Sequence, residues 1–335
     1  MTTLNTCQPI DFTTKQVQKH IDQWGEVIVE PKYDGVQVNI LIDPLGNVSI
    51  LSRAGKEFPL FNGDNLKSLK QMLSLYVKSG FNLYPRDGVW LQGELIAPNL
   101  KAAEVSGLLR RKDIPEGLPM FTVMLFAAIP MLKAMDDPKA PIQILRTMQN
   151  QRARLVVNGM QEVYKLNNLK ADDPVTVLFD VVKQEPAAVI DENDAVVNGL
   201  TLPSVMGIHQ KNMDKGLEGS VVWAPDAVWH RGKKVGGYKI KPKDNADGVV
   251  VGFIEGQAES TKGKYVGFQV LLEESEHVTK ADGLTDALID DINADPEKYM
   301  GAAVSVSYME KFDSGALRHP KFAGFRGISS LQVKE

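Results

Sequence analysis

The residues best suited to chemistry begin with a lysine in Val29-Glu30-Pro31-Lys32-Tyr33-Asp34-Gly35-Val36. The β-branched run Val27-Ile28-Val29 reads as a buried strand, and Asp34-Gly35 is a turn signal leading into the alternating run Val36-Gln37-Val38-Asn39-Ile40. Lys32 is therefore expected at a hairpin mouth. A lysine beside Asp-Gly is in most proteins a solvated turn residue; a nucleophile additionally needs its amine neutral. With a reference pKa of roughly 10.4, only about one lysine in a thousand is neutral near pH 7.4. Nearby cations lower that pKa. Lys239-x-Lys241 sets two lysines at alternate positions of one expected strand, hence on one face, where they would also neutralise phosphate oxygens.

Two glutamates stand at apolar strands: Glu94 in Gly88-Val89-Trp90-Leu91-Gln92-Gly93-Glu94-Leu95-Ile96, and Glu218 in Glu218-Gly219-Ser220-Val221-Val222-Trp223. A carboxylate in that setting is costly unless paired or used. These two suit a sugar hydroxyl and a divalent metal, because Mg²⁺ takes one or two carboxylates plus substrate phosphates. Phe126, in the apolar strand expected over 122–129, reads alone as core and in this company as a ring for stacking on a base. Arg53 and Lys56 emerge beside Gly55 at another strand end. From Arg231 to Lys243 the chain carries Lys233, Lys234, Lys239, Lys241 and Lys243 with no acidic residue between. Lys234 and Lys243, within this run, read by themselves as solvated surface.

Several elements must position these side chains. Thr13 or Thr14 caps a helix with Val17, Ile21 and Trp24 on one face and Gly25 at its end, and His20 beside that stripe reads as a packed or surface residue. A second helix starts near Asn65 with Leu66, Leu69, Leu73, Tyr76 and Val77 on its buried face. Helix formers within 137–156 are expected outside a sheet, and 205–215 forms a helix stopped by Gly216. The stretch 163–197 alternates strand-like and acidic pieces without assignable chemistry. Asp244-Asn245-Ala246-Asp247-Gly248 reads as a boundary, giving one domain over 1–243 and a second over 244–335. There, strand-like runs over 249–254, 265–272 and 303–308, a helix near 284–292 and the basic loop Leu317-Arg318-His319-Pro320-Lys321-Phe322 suit a small five-stranded barrel of the oligonucleotide-binding (OB) kind.

Composition sets outer bounds. A length of 335 residues predicts roughly two domains, and 43% hydrophobic residues is ordinary for a globular chain. No apolar run approaches the roughly 20 residues that span a bilayer, and the polar start shows no export signal. One cysteine, Cys7, excludes an intramolecular disulfide and any multi-cysteine zinc site, so a reducing, cytoplasmic setting is expected. A formal net charge of -4 gives no global push towards nucleic acid, so binding must come from local basic faces.

In order, these residues resemble the motifs of the covalent nucleotidyltransferase superfamily of ATP-dependent polynucleotide ligases and capping guanylyltransferases. Lys32-Tyr33-Asp34-Gly35 is similar to its Lys-x-Asp-Gly motif, and Ser52-Arg53-x-Gly55-Lys56, Gly93-Glu94-Leu95, Leu125-Phe126, Glu218-Gly219 and Lys239-x-Lys241-Pro242 to those that follow. Stretches such as Ser106-Gly107-Leu108-Leu109-Arg110, Arg231-Gly232-Lys233-Lys234, Ser307-Tyr308-Met309-Glu310 and Phe325-Arg326-Gly327 resemble the compact DNA ligases of T7-like bacteriophages. The resemblance implies an α+β nucleotidyltransferase domain of antiparallel sheets with flanking helices, ATP-grasp-like, followed by an OB-fold. It also implies ATP as substrate, Mg²⁺ or another divalent metal, and nicked duplex DNA as partner. The expected protein is a monomer in the cytoplasm, a host's if phage-encoded, sealing nicks in DNA replication, repair or recombination.

The same resemblance assigns roles. Lys32 would carry AMP, with Glu30 near the adenine, Phe126 stacked on it, and Arg53 and Glu94 on the ribose side. Glu218 and Glu94 would serve the metal, and Lys233, Lys239 and Lys241 the phosphates. Arg53, Lys56, Lys234, Lys243, Arg318 and Arg326 would meet DNA, the last two arginines also orienting pyrophosphate. Three positions depart from the pattern: Gln37 where many relatives carry arginine, Gln92 where many carry aspartate, and Trp223 where a basic residue is common. A GTP-using capping enzyme, an RNA ligase or a non-catalytic DNA-binding module would share much of this pattern. The NAD-dependent branch, with its four-cysteine zinc module, fits one cysteine poorly.

Overall fold

A computed structural model describes residues 4, 6–137, 139–186, 189–190, 196–198, 202–241, 244–275, 277–312 and 314–326. The chain forms two compact units, Met1–Ile240 and Lys241–Glu335. No described helix is long and apolar enough to cross a membrane.

The first unit is built on two five-stranded sheets. One has the order Cys7–Asp11, Gly232–Ile240, Gly219–Trp223, Ile28–Lys32, Glu185–Pro186, antiparallel except for its first pair. The other has the order Val48–Ser52, Val36–Ile42, Val89–Ile96, Phe121–Pro130, Val177–Val181, antiparallel except for its last pair. Alternation along these strands divides their apolar residues among three cores. Val29, Val222, Tyr238 and Ile240 pack with Val17 and Ile21 of the helix Thr14–Trp24 and Val205 of the helix Leu202–Asp214. Val38, Ile40, Leu91, Val123 and Leu125 pack with Leu69, Leu73 and Tyr76 of Lys67–Lys78 and with Ala153, Val156 and Met160 of Arg146–Leu166. Ile28 and Trp223 of the first sheet meet Leu41, Trp90 and Ile129 of the second in a core that also holds Trp229.

Helix ends follow their sequence signals. Thr13 Oγ1 accepts from Gln16 N–H at 3.3 Å, and Gly25 takes φ 72° at the other end, donating to Ile21 O. Trp24 departs from the expectation: as the helix's last residue it remains 45% exposed. His20 Nε2 lies 2.8 Å from the Tyr238 hydroxyl, a packing role.

The second unit is an OB-fold whose five-stranded antiparallel sheet runs Val278–Ala281, Tyr265–Leu272, Asp244–Glu255, Ala303–Tyr308, Lys321–Phe325. A bridge between Asp282 and Lys321 joins its two ends, with Phe322 N–H donating to Asp282 O at 2.8 Å. Phe268, Val270, Val304, Val306 and Ile292 of the helix Asp286–Ala294 fill the interior. The run 244–248 is not a connecting loop: it opens the Asp244–Glu255 strand and pairs with Tyr308 through Val304. Its polar residues sit on a strand half open to solvent, which hid it behind turn-like composition.

Candidate active site

Strand register creates the centre of the site. Gly219 lies opposite Lys32, and Glu218 N–H donates to Lys32 O at 3.0 Å. The residue before Gly219 is thereby drawn beside the lysine, and Lys32 Nζ donates to Glu218 Oε2. The side chains of Lys32 and Glu218 are 22% and 9% exposed, so the pair has one open side. Asp34 Oδ2 accepts from Ala102 N–H at 3.3 Å, tying the turn to the start of the helix Ala102–Leu109. Gly35 is required by close approach, because a Cβ there would stand 2.4 Å from Leu95 O.

Glu94 enters from the second sheet, opposite Gln37. Burial, helped by the negative charges of Glu218 and Asp34, pushes its carboxyl up to about 7 against the pull of Lys32. Lys32, Asp34, Glu94 and Glu218 thus form one electrostatically linked group.

Phe126 reaches the site through an irregularity. Gln92 pairs with Ala127 while Gly93 pairs with Leu125, leaving Phe126 as the extra residue of a β-bulge. A bulge re-aims a side chain that regular alternation would place elsewhere. The Phe126 ring is half-buried, with the Arg146 guanidinium 5.3 Å from its centre.

Arg146 is the largest omission from the sequence reading. As first residue of its helix it reaches Glu30 in a bidentate fork, Nε to Oε1 at 2.8 Å and Nη2 to Oε2 at 2.6 Å. The other face of the guanidinium environment is Trp223, whose ring centre lies 4.4 Å away and whose Nε1 donates to Glu30 Oε2 at 3.1 Å. Gln184 Nε2 donates to Glu30 Oε1 at 2.7 Å. Glu30 is only 2% exposed, and its carboxylate is fully committed inside the protein. The signal in sequence was slight: a cation at a helix N-terminus works against the helix dipole and so calls for a partner.

The three departures from the family pattern have local partners. Trp223 serves Glu30, and Gly237 opposite makes room for it, since a Cβ there would sit 2.3 Å from the indole. Gln37 donates to Thr6 Oγ1, and Gln92 accepts from Trp229 Nε1 at 3.0 Å.

The expected cations are distributed unevenly. Arg53 is exposed and donates to Gln8 Oε1 at 2.8 Å, while Gln8 pairs in register with Lys233. Lys56, Lys233 and Lys234 are exposed. Lys239 pairs with Asp11 at 3.1 Å. Lys241 does not share its strand, which stops at Ile240; the proline that follows lacks the N–H a ladder needs. Lys241 Nζ lies 3.6 Å from Met309 Sδ within the second unit. There, half-buried Arg318 pairs in register with Glu310, and exposed Arg326 is ion-paired with Asp247. Lys243 lies outside the described residues.

A two-unit α+β chain with a strand-end lysine, carboxylates around it and a trailing OB-fold has the build of a covalent nucleotidyltransferase. Known proteins sharpen this. The chain is 29% identical over 338 residues to the DNA ligase of Enterobacteria phage T3, covering 96% of each. It is 27% identical over 359 residues to the DNA ligase of Escherichia phage T7, again covering 96% of each. The solved ATP-dependent DNA ligase of bacteriophage T7, in complex with ATP, matches at a TM-score of 0.58 and 25% identity over 96% of this chain and 99% of that one. No family model matches the chain. The resemblance to ATP-dependent ligases of T7-like phages, read from ordered motifs, is borne out over nearly the whole length.

Proposed function

We propose that this protein is an ATP-dependent DNA ligase that seals 5′-phosphate/3′-hydroxyl nicks in duplex DNA by way of AMP carried on Lys32. The observation that carries the proposal is the register of Gly219 against Lys32, which fixes the amine against Glu218 with one side open, in a chain similar end to end to phage DNA ligases.

In the first step Lys32 Nζ attacks the α-phosphorus of ATP; the N–P bond forms as the α–β bridging P–O bond breaks, and pyrophosphate leaves. Glu218, which accepts from Nζ, would take its proton. A 5′-phosphate oxygen at the nick then displaces the lysine, giving DNA-adenylate. The adjacent 3′-hydroxyl finally attacks the 5′-phosphate, and AMP departs. Phe126 would stack on the base, Glu94 and Arg53 would hold the ribose side, and Lys233 and Lys239 would serve the phosphates.

A divalent cation, when bound, supplies neutralising charge to the phosphate oxygens. Glu218 and Glu94 would hold it: both carboxylates belong to the charged group around Lys32, where the negative charge of Glu218 adds to burial, the main cause, in raising the Glu94 carboxyl, and a cation would offset that charge. Arg53, Lys56, Lys234 and Lys243, with Arg318 and Arg326 of the second unit, contribute to the grip on the nicked duplex. The protein acts as a monomer in the cytoplasm.

The test is sealing of a nicked duplex labelled at the 5′-phosphate of the nick. ATP with Mg²⁺ is expected to convert the label to full-length strand. No sealing with ATP, or sealing only with NAD, would contradict the proposal.

A further inference from the structure

Glu30 has no capacity left for a ligand. Its Oε1 accepts from Arg146 Nε and Gln184 Nε2, and its Oε2 from Arg146 Nη2 and Trp223 Nε1. An ionised carboxylate is acceptor-only, and four donors fill its lone-pair sites. Glu30 and Lys32 are alternate residues of one strand and share a face. The base of a nucleotide bound at Lys32 therefore meets whatever lines the outer side of the Glu30 group.

Gln184 stands beside Glu30 at the sheet edge: Glu185 pairs with Val29, so Gln184 is the next residue along, and its amide reaches the Glu30 carboxylate. The preceding loop is tied to the Phe126 bulge: Val182 N–H donates to Leu125 O at 2.8 Å, and Asn150 Nδ2 donates to Val182 O at 2.6 Å. Gln184 is half-buried. Only its NH₂ group can serve the Glu30 carboxylate, and that group also reaches Arg146 O at 3.4 Å. The amide is thus fixed with nitrogen inward, and Oε1, which accepts no hydrogen bond from the described residues, is directed away from the pair.

We propose that Gln184 determines base specificity, its Oε1 accepting the exocyclic 6-amino group of adenine, and that Arg146 and Glu30 are positioning residues that hold the amide in this sense. Adenine offers a donor at position 6 where guanine offers an acceptor. A carbonyl oxygen held at this spot attracts the first and repels the second. The Arg146–Glu30 pair supplies the fixed polarity that a freely rotating amide lacks.

The role rests on adenylylation of Lys32, and its test keeps the two apart. The full-length protein is incubated with labelled ATP, GTP or purine riboside triphosphate, which lacks the 6-amino group, and kcat/KM is taken from label retained on the denatured chain. Gln184→Ala is expected to lower the ATP value about tenfold, the scale of one neutral hydrogen bond, and to leave the purine riboside value unchanged. Equal losses with both triphosphates, or none with either, would overturn the role, because a purely structural residue does not distinguish them. Glu30→Gln frees the amide to turn and is expected to narrow the preference for ATP over GTP about tenfold; an unchanged preference would refute the positioning role. Should Glu30→Gln weaken the fold, Gln184→Ala, on a half-buried loop residue, still decides the specificity role. Wild type that takes label from none of the three would remove the ligase reading itself. Labelling by ATP with unaltered discrimination in Gln184→Ala removes Gln184 alone.

Discussion

At the residue scale, Glu94 gives the folded protein a pH dependence of defined sign. Its carboxyl is raised from 4.5 to about 7, chiefly by burial. A group raised in the folded state contributes stability below its unfolded pKa and loses it as pH rises through the folded value. Urea melts of the nucleotide-free protein should therefore show Glu94→Gln gaining on wild type between about pH 5 and 8, by at most about 3 kcal/mol, an upper bound because Glu94 keeps some contact with water. Parallel curves would contradict this assignment. Arg146→Ala should destabilise by about 3–5 kcal/mol, since it leaves Glu30 buried without its cation. Lys32, Glu94 and Glu218 were legible in sequence because each breaks a local rule: an amine at a turn, a carboxylate on an apolar strand. Arg146 and Gln184 were not, because their partner Glu30 is 116 and 154 residues away and no local pattern joins them.

At the scale of elements, the site is a product of register. The pairing of Gly219 with Lys32 and of Gln37 with Glu94 brings together residues that neither strand places alone. Gly35→Ala tests how closely that register is packed. Its Cβ would collide with Leu95 O, and the variant should lose about 1–3 kcal/mol of stability while adenylylation falls by more than the unfolded fraction accounts for. Denaturant melts and labelling on one preparation separate the two effects, and a variant with wild-type values for both would show that the approach is not needed. Periodicity revealed the helices Thr14–Trp24 and Lys67–Lys78 and the strands Tyr265–Leu272 and Ala303–Tyr308. It failed where a non-periodic feature governs. The bulge at Phe126 breaks alternation, the strand ends one residue before Lys241, and 244–248 looks like a turn yet forms a ladder.

At the scale of the whole molecule, the lysine, its carboxylates and the Glu30 group all belong to Met1–Ile240. Lys241, Arg318 and Arg326 belong to the second unit. A fragment ending at Ile240 should retain some self-adenylylation and bind nicked duplex poorly, as read by label retention and gel shift; full nick binding by the fragment would refute this division. Net charge of -4 leaves DNA binding to a few exposed cations. Lys234→Gln should make the logarithmic salt slope of nick binding shallower by about one, with Lys32 labelling unchanged, whereas an identical slope would assign Lys234 to solvent. The central claim, that Lys32 carries the nucleotide, is tested most directly by incubating wild type and Lys32→Ala with α-labelled ATP and Mg²⁺ and denaturing both. Label on wild type and none on Lys32→Ala is the expected result; label that survives the loss of Lys32 would contradict the account.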